Sequence, residues 1–296
     1  MHDLTPRVLR RCLLVACLLL PACGAADQDL GPSEVLPPSE EHLTTGPGGM
    51  FIVTENDWAG FNSLLPLIRG LLSGWTRYLP QNTGRMVYDP SARCGSPFSL
   101  EVNFPAGMQE GSGTEHLRVA GPSGESLDQL GDFRQLYLEY CVWVPSTWEG
   151  PGSGVQKLFH IWGTSDDPKG YNTQALPTLY GAGDNNLSHQ LRLQNLSPDS
   201  DGSRTVNIRC GSATRGEWDR VEVYLVQNTG GQADGQIRMW LNGQLCASED
   251  DIMWSDASHY SKQWKDVQLN PTRGSSGFYV NSTQRLRYGG VKVSVY

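Results

Sequence analysis

The stretch Gly216–Leu245, "GEWDRVEVYLVQNTGGQADGQIRMWLNGQL", holds two alternating apolar runs around a glycine-rich turn. Period two is the mark of a strand with one face buried, and two such runs joined by a short Gly/Asn segment form a hairpin. The same period recurs in "QLYLEYCVWV" (135–144), "GVQKLFHIWG", "HQLRLQNL", "TVNIRC", "SGFYV" and "LRYGGVKVSVY", with Gly, Asn, Asp and Pro between the runs. Many short strands with frequent turn residues predict an all-β sandwich of two antiparallel sheets, a jelly roll. Helix is expected at most as a turn or two in "FNSLLPLIRGLLSGW", where Pro66 and Gly70 interrupt it.

Composition agrees with this class. The chain of 296 residues contains 34 Gly, 18 Pro and 9 Trp, and only 18% of it is charged. Its formal net charge of -8 offers no basic stripe to neutralise phosphates, so nucleic acid is excluded as an expected partner. An anionic polymer would need a local basic cleft.

Three segments are expected. Residues 1–22 read as an export signal, with Arg7, Arg10 and Arg11 ahead of the apolar run "CLLVACLLL", which is too short to span a bilayer. Its end, "LPAC", resembles the lipobox of bacterial lipoproteins, which implies lipidation of Cys23. Residues 23–49 are acidic, Pro-rich and poor in large apolar side chains, hence a flexible tether. Residues 50–296 form a single domain. The implied location is a bacterial membrane, facing periplasm or exterior, with the lipid as the only membrane contact. Beyond the signal and Cys23, the cysteines are Cys94, Cys141, Cys210 and Cys246. An even set in an exported chain predicts two disulfides in one of three connectivities, with Cys94–Cys141 and Cys210–Cys246 the expected pairs.

The hairpin residues Gly216, Trp218, Arg220 and Glu222, followed by Gly235, Ile237, Trp240, Asn242 and Gly243, resemble the concanavalin A-like lectin/glucanase jelly rolls. That class includes laminin-G-like modules and polysaccharide lyases, and the likeness extends over roughly Arg85 to Tyr296. It implies a carbohydrate partner without fixing an activity, since some members cleave uronic-acid polymers, others hydrolyse glucans, and many only bind. One departure lies in the last strand, where Gly289 and Gly290 stand at a position that often carries Asp or His.

Three constellations carry the possible chemistry. "EWDRVE" matches the E-x-D-x-x-E of glucanases of this fold, which would make Glu217 a nucleophile and Glu222 a general acid. Alternation opposes this, because Glu217 and Asp219 share the parity of Val221, Val223 and Leu225 while Glu222 takes the other. In "GVQKLFHIWG", Lys157 resembles the lysine of a motif in some lyases, although Phe159 and His160 replace its Pro and Gly. Lys157 or His160 would be the base, Arg192 would neutralise the uronate carboxylate and Gln194 would donate a hydrogen bond. Regular alternation separates Lys157 from His160, so Gln156, His160 and Trp162 are expected to face the groove, with Val155, Phe159 and Ile161 in the core. For binding alone, Gln190, Arg192, Gln194, Arg209 and Trp143 supply the amide, guanidinium and indole groups that hold sugars. No cofactor is expected, but calcium could find oxygen ligands in "GDNN" (183–186) or "SPDSDG" (197–202). The leading expectation is a surface-anchored polysaccharide-binding protein. A lyase acting on uronate glycans is the alternative, a glycoside hydrolase comes third, and an adhesion module that binds protein fourth.

Overall fold

In the computed structural model, alternating runs become strands because extended backbone turns successive side chains to opposite faces. The structure describes residues 51–56, 75–77, 84–91, 97–114, 116–119, 126–163, 173–196, 205–255 and 263–296. The signal segment, Cys23, the tether, the helical turns expected within 61–74, Cys94 and the 197–202 loop lie outside them.

Two antiparallel sheets face each other. The first runs, edge to edge, Gln244–Ile252 (β13), Gly235–Leu241 (β12), Trp218–Val226 (β11), Gln135–Trp143 (β6), Gln284–Val295 (β15), Phe98–Phe104 (β4) and Gly84–Tyr88 (β3). Phe51–Asn56 (β1) also pairs with β15. The second runs Thr205–Ala213 (β10), Leu187–Gln194 (β9), Gln174–Tyr180 (β8), Val155–Gly163 (β7), Trp264–Arg273 (β14), Leu117–Val119 (β5) and Trp75–Arg77 (β2). Among the described residues the helix is a single turn, Leu127–Leu130 (α1). This is the expected jelly-roll sandwich.

The core forms where the inner parities meet. Leu136, Leu138, Tyr140 and Val142 of β6 and Val221, Val223 and Leu225 of β11 are buried against Leu187, Leu191 and Leu193 of β9. Phe159 of β7 packs between Tyr140 and Tyr288, with ring centroids 4.7 and 6.0 Å away. The quoted stretch is the expected hairpin, with Val221 paired to Leu241 and Val226 to Gln236. Its "WLNG" end has its own physical cause: Asn242 and Gly243 both have positive φ, as a two-residue turn into β13 requires, and Asn–Gly pays least steric penalty there. Asn242 Oδ1 also accepts the Arg220 backbone N–H, and its Nδ2 donates to Asp219.

Cys210 and Cys246 form the expected disulfide, which joins β10 to β13, the outermost strands on one side of the two sheets. Cys141 is disulfide-bonded as well. Two expectations change. "SGFYV" forms no strand, and Tyr279 instead makes an isolated bridge with Gln109. Gly289 and Gly290 fall at a register shift between Tyr288 and Val291, so they make a bulge that returns Val291 to the core.

Candidate active site

The chemistry-bearing side chains gather on the outer face of the second sheet, and a bulge in β7 is what collects them. Lys157 pairs with Thr178 of β8 and Ile161 with Ala175, so three residues of β7 lie opposite two of β8. The extra residue resets the alternation. Leu158 and Phe159, adjacent in sequence, both enter the core, and Lys157 and His160 then share the outer face. Alternation without a bulge separates these two, and that expectation is corrected. Gln156 is corrected with it: it is fully buried on the inner side, its Nε2 donating to the Lys157 carbonyl, and it cannot join the site.

Register lays the outer residues in rows across the strands. Lys157 stands opposite Thr178, Thr178 opposite Gln190, and Gln190 opposite Arg209. A second row runs from Leu176 to Arg192 to Asn207. A third runs from Asp266 to Trp162, Gln174 and Gln194. Neighbouring strands lie roughly 4.8 Å apart, so Lys157 and Gln190, two strands from each other, span about 10 Å, the length of a disaccharide unit. His160, Lys157, Trp162, Gln190, Arg192, Gln194 and Arg209 are thus brought to one face.

Trp143 is not. It belongs to β6 in the first sheet, where Trp218 stands opposite it and the Arg287 guanidinium lies 4.8 Å from its ring. The carboxylate triplet is dispersed too. Glu217 is exposed ahead of β11, and Asp219 is buried on the inner face, 3.0 Å from His189 Nε2. Glu222 lies on the outer face of the first sheet, bonded to the Tyr137 hydroxyl at 2.7 Å and to Arg220. Its opposite neighbour is Glu139, whose charge Arg220 also holds at 2.8 Å. These groups do not face one glycosidic bond, so Glu217 and Glu222 form no acid–nucleophile pair.

Alternation in "WKDVQLN" was a sufficient signal for further outer residues that the sequence reading passed over. Val267 and Leu269 face the core, while Asp266 and Gln268 face out, with Gln268 opposite His160. Gln268 bonds His116 at 2.8 Å, and its Nε2 donates to Asp266, which holds Arg118 at 2.9 Å. Burial raises the Asp266 carboxyl, against the opposing pull of Gln268 and Arg118.

The electrostatics are lopsided. Arg118 has Asp266, but Lys157, Arg192 and Arg209 have no carboxylate partner among the described residues. In a chain of net charge -8, three cations without a carboxylate partner among the described residues make this face locally basic. Burial, then the Arg192 charge, lowers the Lys157 ammonium from its ordinary value. His160 is pushed down to about 3, first by burial and then by the charges of Lys157 and His116, so it is neutral near pH 7. Its ring stacks near Trp162, with centroids 6.1 Å apart. Both His160 nitrogens, Trp162 Nε1 and Arg192 Nε are buried without hydrogen-bond partners among the described residues. Such groups are costly unless something completes them.

For calcium, the 183–186 turn is a poor host: Arg215 takes the carbonyl oxygens of Gly183 and Asn185 at 3.1 and 3.0 Å. Among the described residues no three His, Cys, Asp or Glu side chains cluster to hold a metal ion.

No known protein family matches the chain by sequence, and no curated protein does. Solved structures do match. The marine PL-14 alginate lyase from Aplysia kurodai aligns with 83% of this chain and 100% of its own, at 13% identity and a TM-score of 0.57. A mutant of the alginate lyase Aly36B in complex with alginate tetrasaccharide covers 71% of this chain and 86% of its own, at 18% identity and a TM-score of 0.52. The endo-β-1,4-glucuronan lyase from the fungus Trichoderma reesei covers 83% and 96%, at 12% identity and a TM-score of 0.51. At these identities the likeness is one of fold: the chain has a jelly roll similar to those of polysaccharide lyases.

Proposed function

We propose that this chain is a polysaccharide lyase that cleaves a uronate-containing glycan by β-elimination on the outer face of the second sheet. The observation that carries the proposal is the β7 bulge, which sets Lys157 beside His160 on a face where Lys157, Arg192 and Arg209 have no anionic partner among the described residues. The likeness of fold to alginate and glucuronan lyases supports it over binding alone.

β-Elimination has two electrostatic demands. A base must take the proton from C5 of the uronate, and a cation must stabilise the carboxylate as charge develops on it. Arg192 meets the second demand with a planar guanidinium suited to a carboxylate. Lys157 meets the first, because burial and the Arg192 charge favour its neutral amine. The amine takes the C5 proton, the C5–H electrons form the C4=C5 double bond, and the C4–O bond breaks. The leaving oxygen then takes a proton from the Lys157 ammonium, which restores the amine. His160, neutral and stacked near Trp162, adds no charge to compete with Arg192 and positions the bound sugar. Gln190 and Gln194 supply amides for hydroxyl groups along the rows. Export and lipidation at Cys23 would place this activity at a membrane face.

Incubation with alginate, glucuronan and a heparin-like polymer tests the proposal through the ultraviolet absorbance of the conjugated C=C. At least one polymer is expected to give rising absorbance, reduced at least about 100-fold in Lys157→Met, the usual worth of a proton-transfer group. No absorbance from any of the three, with retention of the same polymers on the immobilised protein, would leave a binding protein in its place.

A further inference from the structure

We propose a second saccharide site, for a neutral, hydroxyl-rich sugar, in the pocket at the end of the sandwich beyond the Lys157–Thr272 pair. The pocket has a volume of about 460 Å³, within the range of small-molecule sites, roughly 300–1,000 Å³. Arg273, the next residue after Thr272, lines it together with Glu110, Glu149, Asp184, Phe278 and Tyr279. It is a different place from the cationic face, since Arg273 pairs with the inward-facing Gln156.

The lining has the two halves of a sugar site. Phe278 and Tyr279 are large aromatics left 46% and 61% exposed, and an exposed ring beside a pocket offers a stacking surface for the apolar face of a pyranose. The floor is polar and incomplete. Glu110 and Arg273 are 2% and 3% exposed and meet at 3.2 Å, with Glu110 Oε1 also accepting the Gly152 N–H. Glu110 Oε2 and Arg273 Nη1 are left without partners among the described residues. One group lacks a donor and the other an acceptor. Both atoms are closed off from the pocket, Glu110 Oε2 lying against the Gly274 backbone, so a sugar hydroxyl meets instead the Glu149 and Asp184 carboxylates, to which it can donate. The carboxylates of Glu149 and Asp184 make no hydrogen bond or ion pair among the described residues.

Charge sets the class of sugar. Glu110, Glu149 and Asp184 outnumber Arg273, so a uronate is repelled here, while Arg273 on the floor opposes a cation. A neutral saccharide fits both constraints. The proposal stands whether or not Lys157 cleaves uronate, and it gives the protein a means of engaging a glycan that mixes neutral and acidic sugars.

Calorimetric titration with cellotetraose, mannotetraose and xylotetraose, alongside an alginate tetrasaccharide, tests it. At least one neutral tetrasaccharide is expected to bind, with affinity falling at least about tenfold in Tyr279→Ala and in Asp184→Asn, and unchanged in Arg192→Gln. The alginate tetrasaccharide is expected to show the reverse pattern, losing affinity in Arg192→Gln only. Both substituted pocket residues are exposed, so the fold should survive, and unchanged melting temperatures verify this. Failure of all three neutral sugars to bind, or binding that ignores both pocket substitutions, overturns the second site. Failure of the alginate arm alone counts against the uronate site and leaves this one standing.

Discussion

Lys157 and Arg192 are both cations, and each changes what the other can do. Because the Arg192 charge helps to lower the Lys157 ammonium, Arg192→Gln should raise the Lys157 pKa and move the rising limb of the pH–rate profile to higher pH. The same substitution removes the carboxylate clamp, so kcat/KM on a uronate polymer should fall about 100-fold or more. A limb that stays in place would mean that Lys157 is not the group that titrates. His160 makes a stability prediction. Its folded value of about 3 lies below the ordinary 6.5, so between these pH values the unfolded chain holds a proton that the folded chain lacks. Stability is full above about pH 6.5 and falls as pH drops towards 3. His160→Gln, which does not titrate, should melt with a shallower acid dependence across that window; identical slopes would show that His160 stays charged when folded. The resemblance to a lyase motif nominated Lys157, and residue types in "GVQKLFHIWG" and "HQLRLQNL" added His160 and Arg192. Their mutual distance was not legible, since it depends on pairing between strands far apart in sequence.

At the scale of the element, the site rests on one inserted residue. Period two read the faces of β6, β9 and β11 correctly, down to the separation of Asp219 from Glu222. It failed in β7 because a bulge shifts every residue beyond it, and neither Leu158 nor Phe159 is a glycine that would mark the place. Their adjacency was the available clue: two consecutive large apolar residues in an alternating strand both need a core, and only a bulge lets both have it. Phe159 fastens that arrangement through its contacts with Tyr140 and Tyr288. Phe159→Ala should cost about 3–5 kcal/mol in denaturant unfolding and lower activity as well, because the outer face loses its inner anchor. A variant destabilised to this degree with undiminished activity below its melting transition would show that the bulge holds without Phe159. The Asn242–Gly243 turn selects its own residues, since it needs positive φ at two successive positions.

For the whole molecule, the two sheets are tied at one side by Cys210–Cys246, which closes a loop with a sequence separation of 36. On chain entropy, replacing both cysteines with serine should cost about 3–4 kcal/mol, measured by unfolding under non-reducing conditions, and a loss below about 1 kcal/mol would make the link dispensable. Period-two runs broken by turn residues revealed the sandwich, and the cysteine count suggested the bridge. Net charge misled in one respect, because -8 for the chain conceals a face whose cations have no carboxylate partner among the described residues. That face is the basis of the central claim, that Lys157 eliminates across C4–C5 of a uronate. Mass spectrometry of oligosaccharides released from alginate and glucuronan tests it most directly, because elimination gives products lighter by one water than hydrolysis does. Wild-type protein is predicted to release unsaturated oligosaccharides from at least one of these polymers and Lys157→Met almost none; saturated products, or intact polymer with the wild type, would contradict the account.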